Sequence, residues 1–141
     1  IYKEYGVKLE LCKAEQETYA QAAKFMTNDL HLNLSLELPP VGRWFNDGDK
    51  LSFGNTTFEV IATPGHTPGG VCFYCKEDNV LFTGDSLFRQ GIGRCDFPGG
   101  NETQLVHALK TRILTLPGCV QVLPGHGDIS TIAEENRTFM Y

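Results

Sequence analysis

The sequence predicts a mixed α/β (α+β) fold, a mostly antiparallel sheet with flanking helices. Three observations predict it. Short apolar runs separated by turn residues fill the middle of the chain, over 43–83. Apolar residues recur at helical spacing on both sides of that stretch, over 14–29, from Asn101 onward, and over 131–139. Finally, the apolar runs that end at Ala62, Thr83 and Leu123 each lead into a glycine-bearing loop that displays one histidine or aspartate.

The elements follow in order. Residues 6–12 (GVKLELC) alternate and read as a strand. The helix over 14–29 has Glu15 and Glu17 in its first turn and Tyr19, Ala22, Ala23 and Met26 on one face. Residues 30–40 (LHLNLSLELPP) alternate strictly but end in two prolines, which fits an edge strand or an extended connection with His31 on its solvent side. Residues 43–45, 50–53 and 57–62 are expected to form a β-meander, with Asn46-Asp47-Gly48-Asp49 and Gly54-Asn55 as its turns. Strands over 70–74 and 80–83 flank a turn at 76–79. A long glycine-rich loop, 87–100, comes next; ordered loops of that length tend to be functional. Asn101, with Gln104 three residues on, reads as the N-cap of a helix that Pro117-Gly118 ends. His107 falls mid-helix and reads as solvated. A short strand over 120–123 precedes a final helix, expected over 131–139 with Ser130 as its cap.

The bulk composition narrows the function classes. With 141 residues, 41% hydrophobic and 21% charged, the chain suits one globular domain, 1–141, with a real core. A net charge of −5 and no basic run argue against a nucleic-acid partner. No apolar run is long enough to span a membrane. The five cysteines, at 12, 72, 75, 95 and 119, are odd in number and irregular in spacing, so a reduced chain is expected rather than a disulfide framework. Cys72 and Cys75 lie three apart in a strand, on opposite faces, and read as buried structural residues rather than a redox or zinc pair. With no secretory signal pattern, a cytoplasmic location is expected. The sequence opens on Ile1-Tyr2-Lys3 without a methionine, as expected of a chain that begins inside a longer protein.

The chemistry gathers at three loops. Thr63-Pro64-Gly65-His66-Thr67-Pro68-Gly69-Gly70 can continue neither strand nor helix, so it holds His66 rigidly in the open. Thr83-Gly84-Asp85-Ser86 delivers Asp85 at a strand end, and Pro124-Gly125-His126-Gly127 repeats the His66 device. Two imidazoles and one carboxylate suit zinc, iron or manganese. A carboxylate can bridge two metals, so Asp85 between two histidines suggests a dinuclear site with one histidine per metal. Such a site supplies a hydroxide from bound water near neutral pH. Thr67 and Ser86 have no base placed to activate them and read as supporting partners. Arg94 and Asp96 are expected to pair and hold the 87–100 loop, with Arg94 a candidate to bind a substrate carboxylate. Cys95 is expected to be partly exposed.

TPGHTPGG, LFTGDSLF, GIGRCDFPGG and VLPGHGD, in that order and spacing, resemble the back half of the metallo-β-lactamase superfamily, and most of all its glyoxalase II-like (hydroxyacylglutathione hydrolase-like) branch. The resemblance runs from about Trp44 to Glu135. It implies an αββα sandwich of which this chain is the C-terminal part. It also implies that His66 is a ligand of the first metal, Asp85 the catalytic bridging ligand and His126 a ligand of the second, with two zinc ions or iron in the parent. The implied reaction is hydrolysis of a small-molecule thioester or ester by a metal-bound hydroxide.

The family's His-x-His-x-Asp-His motif is missing from this sequence, and isolated His31 and His107 cannot replace it. The expectation is therefore a C-terminal part of a longer hydrolase that by itself binds metal weakly or not at all and is inactive. Its sheet is expected to expose an apolar face and an unpaired edge, which favours self-association as a dimer. Two other readings stand beside this one. The first is a persulfide dioxygenase-like enzyme with a single iron, implied by a sister branch with a similar loop. The second is a non-catalytic module that keeps only the scaffold.

Overall fold

A computed structural model describes residues 2–28 and 38–139. Helix α1 (Tyr2–Tyr5) and strand β1 (Leu9–Cys12) lead through a 3-10 turn (Lys13–Glu15) into helix α2 (Gln16–Asn28). Strands β2 (Val41–Phe45), β3 (Lys50–Phe53), β4 (Thr56–Ala62), β5 (Val71–Cys75) and β6 (Val80–Gly84) follow. A small hairpin of β7 (Leu87–Phe88) and β8 (Gly91–Ile92) precedes helix α3 (Glu102–Ala108), which runs on into a π turn (Leu109–Ile113). Strands β9 (Gln121–Pro124) and β10 (Ser130–Thr131) and helix α4 (Ile132–Phe139) complete the chain. Most of the alternating leucine run, His31 included, lies outside the described residues.

The main sheet has the order β10-β9-β6-β5-β4-β3. Its pairs are antiparallel except β6 with β9. Two-residue and four-residue turns explain the antiparallel part: Gly54 at φ +60° turns β3 into β4, and Asn79 at φ +53° helps turn β5 into β6. The parallel pair needs a crossover, and α3 supplies it.

Alternation divides the sheet's side chains between two faces. One face packs Ile61, Cys72, Tyr74, Leu81 and Val122 against Leu105, Leu109, Ile113 and Ile132 of the helical segments. The other packs Val60 and Leu51, with Val71 and Phe73, against Cys12 and Phe45 of the β1–β2 pair. Cys72 and Cys75 are both buried and unpaired in disulfides.

Four local expectations are corrected. Residues 43–45 do not join the meander: β2 pairs in parallel with β1, in register Cys12↔Phe45, as a separate two-stranded sheet. The physical reason is that the 46–49 turn gives its backbone to β4 instead, through Gly48 N–H to Val60 O (2.8 Å) and Val60 N–H to Asp49 O (2.9 Å). The strand read over 6–12 is shorter, because Gly6 at φ +69° follows α1 and its N–H caps Tyr2 O at 2.8 Å. The 87–100 loop contains the β7–β8 hairpin. Ser130 does not cap α4: it is paired in β10, and Thr131 Oγ1 accepts the Glu134 N–H at 3.3 Å while donating to Glu134 Oε2 at 3.0 Å. The cap at Asn101 is as expected, its Oδ1 accepting the Gln104 N–H at 3.0 Å.

Candidate metal centre

Strands β4, β6 and β9 run in the same direction, because β5 alone opposes them between β4 and β6. Their C-terminal ends therefore open at one rim of the sheet. The loops carrying His66, Asp85 and His126 all start at that rim.

The His66 loop is held from three sides. Within it, Thr63 N–H donates to Gly70 O (2.8 Å) and Gly65 N–H to Thr67 O (3.0 Å). From α3's cap, Asn101 N–H donates to Gly65 O at 2.7 Å. From the turn before α2, Glu15 Oε2 accepts the Gly69 N–H (2.6 Å) and the Thr67 hydroxyl (3.0 Å). Gly65 is required here: φ is +140°, and a Cβ would lie 2.4 Å from Asn101 O. Below the loop, Asp47 and Arg112 clamp the last residue of β4. Asp47 Oδ1 accepts the Ala62 N–H (2.8 Å), and Arg112 Nη1 donates to Ala62 O (3.2 Å) while lying 2.9 Å from Asp47 Oδ1. Burial works to raise the Asp47 carboxyl, but the Ala62 amide and the Arg112 guanidinium outweigh it and hold it below its ordinary value.

The Asp85 loop is tied to its neighbours by Gly125 N–H donating to Gly84 O at 2.8 Å. Underneath, Thr83 Oγ1 donates to Leu87 O (2.7 Å), and buried Ser86 shares a hydroxyl–hydroxyl bond with Thr63 (2.7 Å). Gly125 lets the His126 loop approach: a Cβ there would sit 2.7 Å from Asp85 Oδ1.

The three side chains converge in a specific way. Asp85 Oδ2 lies 3.7 Å from His66 Nε2, and Asp85 Oδ1 lies 3.4 Å from His126 Nε2. Each carboxylate oxygen thus faces a different histidine. Exposure rises across the group, from 19% for His66 to 42% for Asp85 and 71% for His126, so the site is open on the His126 side. His66 Nδ1 lies 2.6 Å from Arg94 O. A carbonyl can only accept, so the proton belongs on Nδ1 and the Nε2 lone pair points at Asp85. A lone pair facing a carboxylate is repulsive unless a proton or a cation lies between them. Two ligands each about 2.0–2.1 Å from a tetrahedral metal are about 3.3 Å apart, near both N···O separations. Cations placed there would find a histidine nitrogen and one Asp85 oxygen on each side, donors that suit zinc or iron. Among the described residues no three His, Cys, Asp or Glu side chains enclose one ion by themselves.

Arg94 enters the site through its backbone. Its guanidinium is engaged twice by Asp96 (Nε to Oδ1 and Nη2 to Oδ2, both 2.6 Å) and lies 4.4 Å from the centre of the Phe97 ring. The hydrogen bonds from Arg94 hold the Asp96 carboxyl down at about 2. The Thr67 hydroxyl donates to Glu15 and the Ser86 hydroxyl bonds to that of Thr63, so both serve the loops. Residues the sequence reading did not single out complete the surroundings. Phe97 meets His66 edge-on (5.6 Å between ring centres), Phe88 lies against His126 (4.4 Å), and Glu15, Asp47 and Arg112 brace the His66 loop. Only Phe97 and Phe88 had a signal, as aromatics in the loop that follows Asp85.

The rim, the three strand-end loops and the sandwiched sheet define a class: the chain belongs to the metallo-beta-lactamase superfamily, whose family model matches residues 2–126. The match begins well before Trp44, so the β1–β2 pair and α2 are part of it. Hydroxyacylglutathione hydrolase GloC of Haemophilus influenzae is 42% identical over 107 residues, covering 75% of this chain and 50% of GloC. Persulfide dioxygenase ETHE1 of Homo sapiens is 42% identical over 93 residues, covering 63% of this chain and 37% of ETHE1. The crystal structure of TTHA1623 in a di-iron-bound form has a TM-score of 0.83 and 36% identity, over 97% of this chain and 66% of that one. The chain spans about half the length of the curated relatives it matches, or less. No helix among the described residues is long and apolar enough to cross a membrane.

Proposed function

We propose that this chain is the C-terminal part of a metal-dependent thioester or ester hydrolase, with His66 and His126 each a ligand of one metal and Asp85 the catalytic carboxylate between them. The observation that carries this is the carboxylate of Asp85, one oxygen turned to each Nε2, at 3.7 and 3.4 Å. The 42% identity to hydroxyacylglutathione hydrolase GloC supports the hydrolytic class. Bound there, zinc or iron would polarise a substrate carbonyl and lower the pKa of water.

The chain's own residues do the positioning. Arg94 O fixes the tautomer and tilt of His66. Phe97 meets the His66 ring edge-on and Phe88 lies against one side of the His126 ring, which limits how the two imidazoles can turn. Arg94, exposed beside Phe97, would bind a substrate carboxylate by exchanging it for Asp96. The substrate is a small molecule, neither nucleic acid nor membrane is a partner, and the protein works in the cytoplasm. By itself this chain offers one histidine and one carboxylate oxygen per metal, so it would bind metal weakly, be inactive and associate with a second copy.

A persulfide dioxygenase is the second reading, favoured by the equal 42% identity to ETHE1. Elemental analysis tests both, on this chain and on the chain extended by about seventy residues upstream, a length taken from ordinary domain size. The expected result is close to two zinc, or iron, in the extended form, with Asp85→Asn reducing it. Thioester cleavage or oxygen uptake then separates the readings. An extended protein that takes up no metal would overturn both and leave a non-catalytic scaffold.

A further inference from the structure

Glu135 of α4 is a fully buried carboxylate outside the His66–Asp85–His126 group. Its Oε2 accepts the Gln90 N–H at 2.9 Å. Its Oε1 has no hydrogen-bond partner among the described residues. A buried carboxyl with one oxygen unpartnered is costly to the fold, so the bond its other oxygen makes is informative.

Gln90 is the second of the two residues that join β7 to β8, and its φ is +61°. Left-handed backbone is unfavourable for a side chain of this kind. Tight two-residue hairpins favour a left-handed first residue, alone or with the second, and here only the second is left-handed. The turn is therefore not one that its two strands select unaided. It is held from outside, by the carboxylate of Glu135.

The hairpin in turn grips the loop of His126 at two points. The Phe88 ring lies against the His126 ring, 4.4 Å between centres and 32° between planes. Arg89 Nη1 also lies 3.6 Å from Asp128 Oδ2. His126 is 71% exposed, and the Phe88 ring packs against it on one side while Asp85 Oδ1 lies 3.4 Å from its Nε2.

We propose that Glu135 is a positioning residue for His126. Its carboxylate fixes the Gln90 turn, the turn fixes Phe88, and Phe88 sets the plane in which the His126 imidazole faces Asp85. This use of the ring's orientation rests on the reading of His126 as a metal ligand.

The test reads histidine-ring 1H–15N correlations of the metal-free chain, with the His126 signal assigned by its loss in His126→Gln. Glu135→Leu keeps volume and removes the acceptor. Its His126 ring signals are expected to move to the positions they take in Phe88→Leu, while those of His66 stay in place. Glu135→Gln retains an acceptor oxygen and is expected to restore the parent spectrum. A variant that lowers Tm but leaves the His126 signals at their parent positions would reduce Glu135 to a structural role and overturn the proposal, as would a Phe88→Leu spectrum with His126 unmoved. If Glu135→Leu fails to fold, Glu135→Asp, which draws the carboxylate back by one methylene, is read by the same two outcomes. Metal is absent from the measurement, so its failure leaves the proposed function standing. Failure of metal uptake by the extended protein would equally leave the ring result intact.

Discussion

His66 presents Nε2 to Asp85 because its other nitrogen is committed to the Arg94 carbonyl, 2.6 Å away. The same loop binds Arg94 to Asp96, and that pair makes a sharp residue-scale prediction. A carboxyl depressed on folding stabilises above its unfolded value and loses that contribution as pH falls through its folded value. Asp96, held down at about 2 by Arg94, should therefore stay paired well into acid. Arg94→Ala should return its midpoint toward the ordinary value of about 3.9, read from the carboxyl carbon in an NMR titration. The cysteines make a second prediction. Burial pushes the Cys72 thiol up to about 12, and Cys72 is fully enclosed, whereas Cys119 is exposed. Iodoacetamide at neutral pH should label Cys119 first and leave Cys72 untouched until the chain unfolds, read by peptide mass. Early labelling of Cys72 would show that the core opens far more readily than its packing implies.

The caps and loop braces belong to the scale of elements. Thr131, not Ser130, closes the first turn of α4. Thr131→Ala should cost about 1 kcal/mol in denaturant melts. Ser130 Oγ is buried with no partner among the described residues, so Ser130→Ala should be neutral or mildly stabilising. The sequence reading put the cap at Ser130; the pairing of β10 with β9, a contact that local sequence does not announce, moves it to Thr131. Glu15 gives the same lesson. The sequence reading put it in the first turn of the helix; it lies in the 3-10 turn just before α2, and its carboxylate crosses to Thr67 and Gly69, 52 and 54 positions away, which nothing local announces. Glu15→Ala should leave two donors of the His66 loop unsatisfied, costing about 1–3 kcal/mol, with hydrogen exchange at the Gly69 amide accelerating more than at β5.

At the scale of the molecule, the β1–β2 pair covers only part of its sheet face. Phe53, 65% exposed on edge strand β3, and Phe82, 42% exposed on β6, continue the apolar surface through Phe58. The three rings meet edge-to-face at 6.0 and 5.8 Å. An open aromatic row on a strand that, among the described residues, is paired on one side only favours association. Sedimentation velocity should show mass rising above the monomer with concentration, and Phe53→Lys should suppress it. A monomer at every concentration would mean that the face is tolerated in water.

The sequence by itself determined the strand-end loops, the residues they display and the antiparallel middle of the sheet. Those depend on glycine, proline and alternation within a few residues, which local sterics decide. Only the tertiary structure decided that β4, β6 and β9 point the same way, that β2 leaves the meander for β1, and that one oxygen of Asp85 faces each histidine. It also decided that Arg94 serves His66 through its carbonyl and that Glu135 reaches Gln90. Each of these is a contact between residues far apart in the chain, fixed by which packing buries the apolar faces of the sheet.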